Sequence, residues 1–143
     1  MPEDFNSRVI REFKENDGKV GPPFEGADMI LVHHKGAKSG TVRTTPLVYF
    51  TDGDTYLIVA SAAGAPSHPA WYHNVKAHPE IEVELGKASG GVTPLTVRAE
   101  ELTGPDRDAA YERIVAAAPG FGDYAEKTEG IRTIPVFALT PAA

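Results

Sequence analysis

Six short runs of apolar, aromatic and β-branched residues divide the chain between Met29 and Leu139: Met29–His34, Arg43–Thr51, Tyr56–Ala60, Ile81–Leu85, Val92–Leu102 and Ile134–Leu139. Glycine, proline and Asp-Gly segments separate them, so each reads as a strand that must find its partner through a brief link. Asp52-Gly53 is a hairpin signal between the second and third runs. Pro46 inside the second run has no N–H to give to a ladder, which places that strand at a sheet edge or at a bulge. Ile81–Leu85 alternates apolar and acidic residues, the pattern of a half-exposed strand. Short strands, hairpin links and few helices predict a mainly β fold with flanking helices, a six-stranded antiparallel barrel. At 143 residues the chain is expected to form a single domain, residues 1–143, with no internal repeat.

Three helices are expected beside the strands. In Asp4–Asn16, Phe5, Val9, Ile10 and Phe13 share one face and Arg8, Arg11, Glu12 and Glu15 the other, with Asp17-Gly18 as the stop. Two readings of residues 1–17 stand: a helix packed on the main body, or a lid that touches substrate or a membrane surface. The linker Lys19–Pro23 sets this helix apart and motivates the second reading. Pro69–Ala77 predicts a short helix stopped before His78-Pro79. Thr103 reads as an N-cap followed by Pro105 and a helix to about Ala118, with Ala110, Ile114 and Val115 facing in. Pro119-Gly120 breaks it, and a short segment runs on through Tyr124.

Charge is unevenly distributed. Met29 to Pro79 holds all five histidines and the single tryptophan, yet only Asp52 and Asp54 of the chain's 20 acidic residues. The same stretch carries Lys35, Lys38, Arg43 and Lys76, which points to a local site for an anion. A formal net charge of −6 gives the whole-protein field the wrong sign for nucleic acid, so a small anionic ligand is expected. With no cysteine, disulfides, a thiol nucleophile and thiolate-held metals are excluded. The N-terminal Met1-Pro-Glu-Asp-Phe lacks a basic stretch leading into an apolar run, and no apolar segment reaches the ~18–20 residues of a membrane span. A cytoplasmic protein is expected.

Gly36-Ala-Lys-Ser-Gly40 lacks the glycine before lysine, and the upstream glycine, of a nucleotide-triphosphate loop, and no parallel βα unit surrounds it. What remains is either a plain hairpin turn or a nest of backbone N–H groups with a lysine and a serine hydroxyl, to which Arg43 on the next strand adds a forked donor. His68, His73 and His78 are spaced by five, which does not return to one helix face, and no carboxylate accompanies them; no metal site is expected. His33 and His34 are strand neighbours, so one faces the interior and the other solvent. Ser61 lacks the nucleophile elbow Gly-x-Ser-x-Gly and reads better as a hydrogen-bonding group than as a nucleophile. In Pro69-Ala-Trp-Tyr-His-Asn74, Trp71 is expected to plug the barrel mouth. The functional reading adds Tyr72 and Asn74 closing over a ligand at a helix start that favours negative charge.

These segments, from about Leu31 to Leu139, resemble the family of deazaflavin-dependent nitroreductases. The resemblance rests on Gly36-Ala-Lys-Ser-Gly-x-x-Arg43, Pro46-Leu47, Asp52-Gly-Asp54, Val59-Ala-Ser61, His68-Pro-Ala-Trp-Tyr-His-Asn74 and Ile134-Pro-Val-Phe137, in that order. It implies a split β-barrel of the FMN-binding split-barrel type, with coenzyme F420 as cofactor. By the family pattern, Lys38, Ser39, Gly40 and Arg43 hold the phosphate and acidic tail. Thr45, Pro46 and Leu47, with Val59, Ala60, Ser61 and Ala62, line the deazaflavin, and Trp71, Tyr72 and Asn74 close the other side. Ser61 and Tyr124 are the implied catalytic residues, bonding substrate or cofactor and delivering a proton. The implied reaction is hydride transfer from the reduced cofactor to an activated alkene, enone, lactone or quinone, or to a nitroaromatic ring. The chain departs from the family at Ala62, where many relatives have lysine, at Val48, which replaces an aromatic, and at Phe121, which replaces a phenol. Phenylalanine cannot donate a proton, so alkene and quinone reduction are implied more directly than nitroreduction. Two alternatives accompany this reading: a non-catalytic protein that shields the cofactor, and an FMN-binding barrel using the same phosphate nest. No nucleic-acid partner is expected, and the oligomeric state is left open.

Overall fold

The computed structural model describes residues 5–21, 26–61 and 64–142. Its centre is one seven-stranded antiparallel sheet in the order β2-β1-β5-β6-β7-β4-β3. The strands are β1 (Met29–Lys35), β2 (Val42–Val48), β3 (Phe50–Asp52), β4 (Thr55–Val59), β5 (Glu80–Gly86), β6 (Val92–Leu102) and β7 (Val136–Pro141). The helices are α1 (Phe5–Glu15), α2 (Ala70–Ala77), α3 (Gly104–Ala117) and α4 (Gly120–Thr128).

The expected strand count of six is corrected to seven. Arg43–Thr51 was one run in the sequence, but the chain turns at Tyr49, which divides it into β2 and β3. The two pieces lie at opposite edges of the sheet. A single residue spans at most ~3.6 Å, so edges joined through it must lie close together, and the sheet is rolled into a curled half-barrel. Pro46 stands on edge strand β2, as its missing N–H requires, opposite Leu31.

Alternation along the strands gives the sheet two apolar faces. Ile30 and Val32 of β1, Ile58 of β4 and Phe137 and Leu139 of β7 pack inward with Trp71 and Val75 of α2. On the other face, Met29 and Leu31 meet Val9 and Phe13 of α1. Leu57, Val59 and Val136 meet Ala110, Tyr111 and Ile114 of α3, with Phe121 and Tyr124 of α4 at the margin. The apolar stripe of α1 is therefore buried against its own sheet: Val9 and Phe13 are both 1% exposed, a contribution of about 1.5–3 kcal/mol each. Gly86 permits this docking, because the Phe13 ring occupies the space that a Cβ there would need.

The predicted helices are present, and Val115 is only partly buried while Ala110 and Ile114 are fully so. Thr103 is at the N-cap of α3 but makes no side-chain cap bond. The segment after Pro119 continues as α4 to Thr128, further than its glycines suggested. Among the described residues, no helix is long and apolar enough to cross a membrane.

Candidate active site

Between β1 and β2 the chain makes the turn Gly36–Thr41. The Gly36 N–H donates to the Thr41 carbonyl (2.8 Å) and the Gly40 N–H to the Gly36 carbonyl (3.0 Å). The Thr41 N–H donates to Ser39 Oγ (3.2 Å) and the Ala37 N–H to Asn74 Oδ1 (3.0 Å). Gly40 has φ +73°, a conformation that suits residues without a Cβ. The expected nest is thus narrower than the whole turn. Four N–H groups are already committed, and those of Lys38 and Ser39, without a partner among the described residues, remain to meet a ligand.

A hollow of about 660 Å³ opens above this turn, lined by Gly36, Ala37, Lys38, Ser39 and Arg43 on one side and Ala70, His73 and Asn74 of α2 on the other. Among the described residues, the side chains of Lys38 and Arg43 form no ion pair and no hydrogen bond. Lys76, by contrast, pairs with Glu101 at 3.0 Å. Two exposed cations without carboxylate partners, beside the first turn of a helix, make the hollow electropositive.

A second cavity of about 320 Å³ adjoins the same two elements further along. It is a slot lined by Thr45, Pro46, Leu47 and Val48 of β2, Val59 and Ser61 at the end of β4, Pro69 and Trp71, Phe121 and Tyr124 of α4, and Phe5 and Asn6 of α1. Here edge strand β2 and the end of β4 face one another without pairing, which is what leaves the slot open. Its walls are mostly apolar. Among the described residues, the Ser61 and Tyr124 hydroxyls have no hydrogen-bond partner, so both are available to a ligand. Phe121 is held edge-on between Phe50 (5.7 Å) and Tyr124 (5.5 Å).

The end of β4 is fixed from below by Arg132. Its Nη2 donates to the Ser61 carbonyl (2.8 Å), Nε to the Ala65 carbonyl (2.9 Å) and Nη1 to the Ala60 carbonyl (3.2 Å). Nη1 also donates to His68 Nδ1 at 2.9 Å, which requires that nitrogen to be unprotonated. Burial, reinforced by Arg132 and His73, holds His68 below its ordinary pKa.

The hollow gathers Lys38, Ser39, Arg43 and Asn74, and the slot gathers Thr45, Pro46, Leu47, Val59, Ser61, Trp71 and Tyr124. Gly40, Ala60 and Tyr72 line neither. Gly40 shapes the turn, and Ala60 is wholly buried beneath the slot. The Tyr72 phenol donates to Glu101 Oε1 at 2.9 Å. Burial, with that bond and the glutamate's charge, pushes its pKa up to about 12. Ala62 lies outside the described residues. Pro69, from the motif that carries Trp71, and Val48, next to Pro46-Leu47, also line the slot, while Phe5, Asn6 and Phe121 join it from segments outside those motifs. Of the two neighbouring histidines, His34 faces the interior and is 3% exposed. His33 is half-buried rather than solvated, bonded to Thr44 Oγ1 and Glu84 Oε2 at 2.8 Å each. Among the described residues, no three histidine or carboxylate groups converge to hold a metal.

Residues 7–141 match the family model described as F420H(2)-dependent quinone reductase. An F420H(2)-dependent quinone reductase of Mycobacterium tuberculosis is 38% identical over 130 residues, covering 90% of this chain and 84% of that protein. A second M. tuberculosis protein is 33% identical over 112 residues, covering 78% of this chain and 88% of that protein. Among solved structures, an F420-H2 dependent reductase (FDR-A) superposes with a TM-score of 0.65 at 40% identity, covering 78% of this chain and 92% of that one. A domain-swapped dimer gives the same TM-score of 0.65 at 37% identity, over 91% of this chain and 90% of that one. The half-barrel with its cationic hollow and apolar slot thus belongs to a member of the F420H(2)-dependent quinone reductase family.

Proposed function

We propose that this chain binds reduced coenzyme F420 along β2, with the acidic tail in the Lys38–Arg43 hollow and the ring in the slot, and reduces quinones there. Family membership makes the protein an F420-dependent oxidoreductase with reduced coenzyme F420 as its cofactor. The observation that supports the placement is the pair of cations, Lys38 and Arg43, without partners among the described residues, at the end of an apolar slot bordered by the same β2 and α2. An elongated ligand with a planar ring and an anionic tail matches that order of environments.

When bound, the cofactor supplies a hydride. The chain supplies the rest. Lys38 and Arg43 neutralise the tail, and the Lys38 and Ser39 N–H groups add donors to it. Thr45, Pro46, Leu47, Val59 and Trp71 confine a flat ring and exclude water from it. Ser61 hydrogen-bonds ligand or substrate, and the Tyr124 phenol places a proton on the acceptor's oxygen. Phe5 and Asn6 let α1 cover the slot as a lid while its Val9–Phe13 stripe stays anchored. Phe121 offers an aromatic face to a quinone ring but no proton. Quinones are therefore the first acceptor class, with activated alkenes, enones and lactones second and nitroaromatics last.

The test is oxidation of reduced coenzyme F420 by purified protein with a panel of quinones, activated alkenes and nitroaromatics. Turnover is expected with quinones first. Tight cofactor binding with no oxidation by any acceptor would instead identify a shielding protein.

A further inference from the structure

His34 makes two hydrogen bonds whose directions follow from the groups around it. The Ala37 backbone N–H can only donate, so the Asn74 atom 3.0 Å from it is the oxygen. The Asn74 NH2 then faces His34 Nδ1 at 2.9 Å, and that nitrogen must carry a lone pair. The proton of the neutral ring therefore sits on Nε2, which donates to Thr45 Oγ1 at 2.8 Å. Thr45 accepts there, so its own O–H is left as a donor at the wall of the slot. One interior ring thus joins three elements: β2 through Thr45, α2 through Asn74, and the Gly36–Gly40 turn beyond it. Thr45 belongs to the slot and Asn74 to the cationic hollow, and His34 lines neither.

We propose that His34 is a positioning residue that locks the two halves of the cofactor site together, setting the anion turn through Asn74 and the donor state of Thr45 in the slot. The placement of coenzyme F420 given above underlies this assignment. A ligand that spans hollow and slot needs both ends held in one register, and a relay of fixed hydrogen bonds through a buried ring supplies that register. The geometry asks for the single tautomer with Nε2 protonated. Asparagine at position 34 places a carbonyl near the site of Nδ1 and restores only the link to Asn74. Glutamine places an amide near the site of Nε2 and restores only the link to Thr45.

Two measurements test this. In ¹⁵N NMR of the cofactor-free protein, the His34 ring is expected as the Nε2–H tautomer, and the Ala37 amide as protected from exchange while the Lys38 and Ser39 amides are not. His34→Gln and Asn74→Ala should remove the Ala37 protection, and His34→Asn should keep it. In titrations with coenzyme F420, His34→Gln should weaken binding about tenfold, the worth of one well-placed bond. His34→Asn should bind nearly as wild type but turn over more slowly. An Nδ1–H tautomer, or unchanged Ala37 protection and cofactor affinity in folded His34→Gln, would overturn the proposal. A Lys38→Ala, Arg43→Ala double variant that binds the cofactor normally would instead overturn its placement, leaving the ring tautomer and amide protection as they were measured.

Discussion

The cationic hollow and the apolar slot share β2 and α2, yet they are built in opposite ways. The hollow hangs on the surface: Lys38, Ser39 and Arg43 are exposed, and the turn that carries Lys38 and Ser39 beside Arg43 of β2 is held by its own backbone, by Ser39 Oγ and by Asn74. The slot is cut into the core: Trp71 and Val59 are both 6% exposed and belong to two of the three apolar clusters that hold helices to the sheet among the described residues. Binding and stability are therefore separable in the hollow and inseparable at the Trp71 and Val59 walls of the slot.

The largest effect is expected in the slot. Trp71→Ala removes a buried indole packed 5.9 Å from the Phe137 ring, and should lower unfolding free energy by about 3–5 kcal/mol in a denaturant titration. If stability hardly moved, the slot wall would not be part of the core. Next comes the hollow. Replacing Lys38 and Arg43 by alanine together should weaken coenzyme F420 binding ~100-fold, taking exposed charge-assisted contacts at the low end of their range. The melting temperature should stay where it is, and a double variant that unfolds would break the contrast. Tyr124→Phe, whose hydroxyl makes no hydrogen bond among the described residues, should slow turnover with quinones about 100-fold, the low end of what a positioned acid contributes, while leaving cofactor affinity alone. Loss of affinity in place of turnover would move Tyr124 from substrate to cofactor.

The smallest effect is on acidification. Burial, then Arg43 and His33, lowers the His34 pKa below 6.5, and burial, then Arg132 and His73, lowers that of His68, against an opposing pull from Glu101. Below 6.5 the unfolded chain binds more protons at these two sites than the folded one does, so their contribution to stability, present above 6.5, is lost as pH falls through the folded values. Thermal melts should show that decline, and His34→Asn should reduce it. A melting temperature that rises as pH drops below 6.5 would mean that both rings are stabilised as cations.

The same contrast governs what could be read in advance. Gly36–Arg43 and Pro69–Asn74 are contiguous motifs whose residues meet after one antiparallel pairing and one helix placement, so the hollow was legible. Pro46 announced an edge strand, and the alternating runs announced the sheet. The slot was only half legible. Its β2 and Trp71 walls lie in motifs, but Phe5, Asn6 and Phe121 arrive from distant parts of the chain on helices whose docking no local pattern encodes. The split of Arg43–Thr51 at Tyr49 was hidden because strand propensity continues across it; only closure of the half-barrel forces the turn. His34 shows its burial in its alternation with Ile30 and Val32, yet its partners Asn74 and Thr45 become visible only once α2 is in place. Arg132, which fixes Ser61 from 71 residues away, gave no sequence signal.

The most direct test of the account is titration of the purified protein with coenzyme F420 and, separately, with FMN. Saturable binding of the deazaflavin is expected, weakened ~100-fold when Lys38 and Arg43 are both replaced by alanine, together with weak binding of FMN. Saturable FMN binding with none of the deazaflavin would contradict the account.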